Sequence, residues 1–283
     1  MPYLRANEID LYYEAHGSAD SPALVLGHGA GGNHLVWWQQ VPYFAQHYRV
    51  ITYDHRGFGL SRDVPGGPGR RAFPFDLHAL LDHLNVDQFA MVAHSMAGRT
   101  ATPFVRMFPD RIRALVLSGT LGGAVNDDVR TVQAAHAKTV AGQTLRQRSL
   151  APITETDRPD LAYLYRAMNR LNPKRDKNFL APQPGLVSWR GSSMPLLKSA
   201  GIPLLFMVGR HDMIVPPAAM RTAHEAMPDS AYVEIADAGH SSYFEQPDAF
   251  NTAVDTFLRD AWPQQDTPHQ DQSDQDITAE AAS

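Results

Sequence analysis

Cysteine is absent from this 283-residue sequence. Disulfides, thiolate nucleophiles and cysteine-based zinc sites are therefore excluded, and the chain is compatible with a reducing compartment. Long apolar runs are absent too: no segment approaches the roughly 20 residues that a membrane-spanning helix needs. The opening MPYLRANEID has neither a basic start nor an apolar run, so no export signal and no membrane partner are expected, and the protein reads as cytoplasmic. No basic stripe with interleaved aromatics occurs, which argues against a nucleic-acid partner. Outside the candidate site below, histidines and carboxylates do not gather at ligand spacings, and the glycine-rich stretches match neither the Walker nor the dinucleotide spacing. Neither a metal nor an organic cofactor is expected.

What is present is material for one large core, with 43% hydrophobic residues and 9% aromatics. The formal charge of -5 is local. The tail after Trp262 holds Asp266, Asp271, Asp274, Asp276 and Glu280 and no lysine or arginine; without those five, the 30 acids fall level with the 25 bases. That tail is polar and almost without large apolar residues, so burial cannot offset the entropy of ordering it, and residues 263–283 are expected to be disordered.

The body alternates short apolar strands with helices. A hairpin over Tyr3 to Ala6 and Ile9 to Ala15 turns at Asn7-Glu8. Strands follow at Ala23 to Leu26, Arg49 to Tyr53, Phe89 to Ala93, Ala114 to Ser118, Ile202 to Val208 and Ala231 to Ile235. Between them the periodicity predicts helices over Leu35 to Gln46, Phe75 to Leu84, Met96 to Phe108, Pro217 to Met227 and Pro247 to Trp262. From Leu121 to Ala200 the pattern changes to helical stretches joined by Pro- and Arg-rich connectors, with no good strand. The expected architecture is α/β: a mostly parallel central sheet with helices on both faces, residues 1–120 and 201–262 forming the core and 121–200 an inserted helical cap.

Open parallel sheets place their sites beyond the carboxyl ends of the strands. Four suspicious positions fall there: the Gly27-His28-Gly29-Ala30-Gly31-Gly32 loop, Ser95, Asp212 and His240. At AHSMAG, small residues Ala93 and Ala97 flank Ser95 at minus two and plus two, as a strained strand-to-helix nucleophile elbow requires; the same residues also read as a buried strand followed by a helix N-cap serine. The order serine, acid, histidine is that of one of the three familiar triads and favours the elbow. Rival groups have simpler readings. His28 and His94 would pack or bond to backbone, His211 would point away from its neighbour, and His55 and Arg56 would satisfy carbonyls of their own glycine-rich turn. Asp237 is a substitute acid.

With these residues in view, the chain resembles the α/β-hydrolase superfamily, in its cap-bearing serine branch of esterases, lactonases, carbon-carbon bond hydrolases and cofactor-free haloperoxidases. GHGAGG, YDHRGFGLS, AHSMAG, GRHDMIVP and AGHSSYFEQPDAFN carry the resemblance. It implies Ser95 as nucleophile, His240 as general base, Asp212 as its orienting acid, and the backbone N–H groups of Ala30 and Met96 as the oxyanion hole. Serine at the elbow argues against dehalogenase and epoxide hydrolase chemistry. Ser241, standing where ring-cleavage hydrolases usually carry tryptophan, disfavours that branch. A small or medium ester or lactone is the expected substrate of a monomer or homodimer, with carbon-carbon bond hydrolysis or a sensor of little turnover as alternatives. Trp37, Trp38, Tyr163, Tyr165, Met168 and Trp189 are the expected pocket walls.

Overall fold

The computed structural model describes residues 2–175, 179–180 and 191–263. Trp189 and the acidic tail from residue 264 onward lie outside the described residues. Eight strands, β1 (Tyr3–Ala6), β2 (Ile9–His16), β3 (Ala23–Gly27), β4 (Arg49–Tyr53), β5 (Phe89–His94), β6 (Ile112–Ser118), β7 (Leu204–Gly209) and β8 (Ala231–Ile235), form one sheet. Their spatial order is β1-β2-β4-β3-β5-β6-β7-β8. Pairing is antiparallel for β1 with β2 and β2 with β4, and parallel everywhere else. The β1–β2 turn has positive φ at both central residues, Asn7 (46°) and Glu8 (71°), as a two-residue hairpin matched to strand twist requires.

Every residue of β3, β5 and β7 is buried, because helices cover both faces of the sheet. Successive strand residues feed opposite cores. Val25, Met91, Leu115 and Phe206 pack with α2 (Phe73–His83), α3 (Gly98–Met107) and α9 (Pro217–Glu225). Leu24, Val92, Val116 and Met207 pack with α1 (Val41–Phe44), α10 (Ser242–Glu245) and α11 (Pro247–Ala261). That period of two is the pleat seen edge-on.

One expected helix is divided. The stretch Leu35 to Gln46 forms a 3₁₀ turn at His34–Trp37 and then the short α1, because Pro42 has no N–H to give the carbonyl of Trp38 and its ring would collide with it. Within 121–200, α4 (Asp127–Thr139), α5 (Leu145–Arg148), α6 (Pro152–Asp157), α7 (Pro159–Asn169) and α8 (Met194–Ala200) do not all lie above the sheet's C-terminal edge. Val129 of α4 and Met194 and Leu197 of α8 are buried in the same core as α2 and α3. It is α5 and α7, with the Ser149-Leu150 link, that face the loops after β3, β5 and β8 across a cavity.

Candidate active site

β5 ends at His94, and Ser95 takes φ = 50°, left-handed backbone that a non-glycine residue adopts only under local constraint. The chain then winds directly through a 3₁₀ turn, Ser95–Ala97, into α3. This is the sharp strand-to-helix turn that lifts the serine hydroxyl above the sheet. Gly29 makes room for it: a Cβ there would stand 2.8 Å from the His94 ring and 3.2 Å from Ser95 Cβ.

Three side chains from three loops meet at this point. His240 Nε2 lies 2.8 Å from Ser95 Oγ, and His240 Nδ1 lies 2.8 Å from Asp212 Oδ2. The other Asp212 oxygen accepts the N–H groups of Ile214 (2.7 Å) and Val215 (2.8 Å), which fixes the carboxylate. An ionised carboxylate only accepts, so Nδ1 carries the proton and Nε2 is left to accept the Ser95 O–H. Asp212 and His240 are 3% and 4% exposed, so the chain of hydrogen bonds is shielded from water everywhere except at the serine. Ser95 and His240 open onto a cavity of about 380 Å³ that Gly29, Ala30, Leu150, Tyr165, Ile214 and Tyr243 help to line. A hydroxyl beside a shielded imidazole, with backbone amides nearby and an apolar wall opposite, is equipped for acyl transfer.

A family model for the alpha/beta hydrolase fold matches residues 22–247, most of the chain. The protein belongs to the α/β-hydrolase family. It is 30% identical over 269 residues to 3-oxoadipate enol-lactonase 2 of Acinetobacter baylyi, covering 90% of this chain and 96% of the relative. Among solved structures it is similar to a thermophilic esterase from Thermogutta terrifontis, with TM-score 0.73 and 28% identity over 89% of this chain and 94% of that one. An enol-lactonase from Burkholderia xenovorans matches with TM-score 0.70 and 26% identity over 91% of this chain and 99% of that one.

Other expected residues of this α/β-hydrolase fall as follows. Ala30 lines the cavity beside Ser95. Met96 follows Ser95 in the turn, and its side chain packs away from the cavity with Phe58 and Phe73. The expected pocket walls need correction. Trp37 is fully buried in the core against Tyr243, at 4.5 Å between rings. Trp38 and Tyr163 are 46% and 66% exposed, and Met168 packs toward the core beneath α7. Of the expected aromatic walls in the described region only Tyr165 lines the cavity.

The rival groups are occupied elsewhere. His28 gives its Nδ1–H to Gly29 O at 2.8 Å, takes the His55 N–H at Nε2 (3.0 Å), and is pulled down to about 4 by burial. His94 donates to Ser118 O at 3.1 Å and is held well below the ordinary range by burial and then by the neighbouring His240. His211 and Asp237 are exposed. His55 and Arg56 do not satisfy their own turn. The His55 Nε2 lies 3.0 Å from Tyr53 Oη and 2.9 Å from Thr100 Oγ1, while the buried Arg56 grips Asp76 with two bonds of 2.9 Å and also meets Asp63.

Sequence reasoning missed two supports. The Glu245 carboxylate accepts from Ala151 N–H (2.7 Å), Thr154 Oγ1–H (2.6 Å) and Gly239 N–H (2.9 Å), joining α6 to the residue before His240. Arg175 lies 3.8 Å over the Phe58 ring and donates to Gly57 O (3.1 Å) and Ala30 O (3.4 Å). An acid five residues beyond the histidine, in the stretch SSYFEQ, was the only signal for the first; nothing in the sequence marked the second.

Proposed function

We propose that the protein is a serine hydrolase that cleaves a small or medium carboxylic ester or lactone through an acyl-enzyme. The observation that carries this is the unbroken chain Ser95 Oγ, His240 Nε2, His240 Nδ1, Asp212 Oδ2, with 2.8 Å at both links, at the wall of the cavity. Ser95 Oγ attacks the carbonyl carbon and its proton passes to His240 Nε2. The tetrahedral oxyanion is held by the Ala30 and Met96 N–H groups, each worth roughly 3 to 4 kcal/mol in comparable sites. His240 then gives the proton to the leaving alkoxide as the C–O bond breaks; in a lactone that alkoxide stays tethered to the acyl group. Water, deprotonated by His240, attacks the acyl-enzyme and releases the acid and Ser95.

Asp212 keeps the imidazole in the right tautomer and stabilises the imidazolium between these steps. A cavity of about 380 Å³ suits a small substrate rather than a polymer. That relatives at 30% and 28% identity are an enol-lactonase and an esterase supports the reaction class. Within the segment 121–200, α5, α7 and the Ser149-Leu150 link are proposed as the cap over this reaction, which is written with no metal or cofactor. The test is a panel of p-nitrophenyl esters and lactones together with a fluorophosphonate probe. Hydrolysis and covalent labelling at Ser95, both lost in Ser95→Ala, are expected. Undiminished turnover by Ser95→Ala would overturn the proposal, and fast labelling without any turnover would favour a sensor.

A further inference from the structure

The cavity above Ser95 has a charge of one sign. Arg146 from α5, Arg166 from α7 and Arg170 just beyond α7 line it, and no carboxylate does so among the described residues. Arg166 is already paired with Glu155. Arg146 and Arg170 pair with no carboxylate among the described residues, and both are exposed at the cavity rim. Arg170 is oriented by the Tyr163 ring, 5.5 Å from the guanidinium carbon. Guanidinium groups stay protonated throughout the working pH range and match a carboxylate with two parallel donors. The walls between these cations and Ser95, among them Leu145, Leu150, Ile214 and Tyr243, are largely apolar, so the field at the rim is not cancelled on the way in.

We propose that the substrate is an ester or lactone that also bears a free carboxylate, held at the rim by Arg146 and Arg170 while its acyl carbon reaches Ser95. The proposal rests on the ester or lactone reading above and adds the charge of the substrate. Two cations without acidic partners among the described residues raise the local concentration of an anion and restrict its orientation; a neutral ester of the same length gains neither effect. The preference therefore belongs mainly to KM, and it weakens with ionic strength because the rim is solvated.

The experiment compares mono-p-nitrophenyl glutarate with p-nitrophenyl pentanoate, an acid ester and a neutral ester of equal chain length. The expected ratio of their kcat/KM values is about tenfold or more in favour of the acid ester at ~10 mM salt, shrinking toward one at ~500 mM. Charge reversal in Arg170→Glu and the double change Arg146→Ala with Arg170→Ala are each expected to reduce that ratio about tenfold, an internal comparison that loss of folded protein does not alter. A second reading needs no turnover: glutarate slows fluorophosphonate labelling of Ser95 in the parent protein and not in the double variant. Equal kcat/KM for the two esters, or no protection by glutarate, overturns the carboxylate proposal and leaves the serine hydrolase intact. Absence of Ser95 labelling altogether sinks the underlying reading, and this proposal with it.

Discussion

Gly239 donates its N–H to Glu245 Oε1 at 2.9 Å, one residue before His240. The other oxygen of that carboxylate accepts from Ala151 and Thr154 at the start of α6, and Ser241, on the far side of His240, donates its own N–H to Ser149 O at 3.1 Å. Ser241 is thus bonded directly to the 149–154 segment, and Gly239 is joined to it through the Glu245 carboxylate. The position of His240 and the position of residues 149–154 are therefore one structural variable.

Glu245→Ala removes the shared acceptor and leaves two buried N–H groups and a hydroxyl without it. A loss of about 2 to 4 kcal/mol in urea denaturation is expected. Glu245→Gln is expected to recover only part of that, since its amide turns a donor toward one of the three donors. Stability equal to the parent in both variants would mean that water replaces the carboxylate at no cost.

Fold legibility followed punctuation. Short apolar strands ending in glycine, serine or histidine were readable because both faces of β3, β5 and β7 are covered, which leaves no polar residue in them before the last position. Ser95, Asp212 and His240 were readable as strand-end residues in one order, and the fold brings them within hydrogen-bond distance. Pocket walls were not readable, because aromatic content does not reveal helix phase. On α7 and just beyond it, Tyr165, Arg166, Asn169 and Arg170 turn toward the cavity, whereas Tyr163, two residues earlier, faces solvent. Glu245 and Arg175 act through contacts distant in sequence, which no local pattern encodes.

Ala93 and Ala97 flank the turn at Ser95, and the facing strand explains how Ala97 fits. A Cβ on Gly27 would come within 2.9 Å of Ala97 Cβ and 3.0 Å of Met91 Cε, so the missing side chain is on β3 instead. Gly27→Ala is expected to cost about 1 to 3 kcal/mol and to lower kcat by displacing the turn that carries Ser95. Combining it with Ala97→Gly should restore much of both; no rescue would place the clash at Met91 alone.

Buried neutral histidines set the acid limit. Burial holds His28 down to about 4 and pushes His55 and His94 well below the ordinary value. With the folded pKa below the unfolded one, near 6.5, the unfolded chain binds more protons in this window. Stability is therefore fully present above about pH 6.5 and is lost as pH falls toward 4, His28 alone accounting for something on the order of 3 kcal/mol. Glu245, pushed up by burial, contributes the opposite sign as pH rises beyond the carboxylate range. Urea midpoints from pH 7 down to 4.5 should decline, and His28→Asn should start lower at pH 7 but decline less steeply. A midpoint independent of pH across that range would show that these rings are not buried neutral.

In the proposed reaction, Ser95→Ala and His240→Ala each remove the same unit, so each is expected to lower kcat by roughly 10⁴ to 10⁶ and the double variant by little more. Stopped-flow release of p-nitrophenol separates acylation from deacylation. Additive losses in the double variant would mean that the two side chains do not act on one proton.

Arg175 tests whether the loop around Ala30, the proposed oxyanion loop, must be held from behind. Its guanidinium is buried enough to be pulled below the usual arginine range, it lies over Phe58, and it bonds the carbonyls of Gly57 and Ala30. The Ala30 carbonyl and the next N–H belong to one rigid peptide plane, so a cation on one side limits how the loop around Ala30 rotates. Arg175→Met keeps the stem over the ring and removes both donors. If loop orientation matters to the oxyanion, kcat should fall by about tenfold to a hundredfold with KM for a neutral ester nearly unchanged, because only the transition state carries the negative oxygen. Arg175→Lys, with a point charge in place of the planar fork, should recover less than half of the loss in logarithmic terms. A rise in KM with kcat intact would instead mean that Arg175 holds the substrate side of the cap and that the oxyanion loop keeps its shape without it.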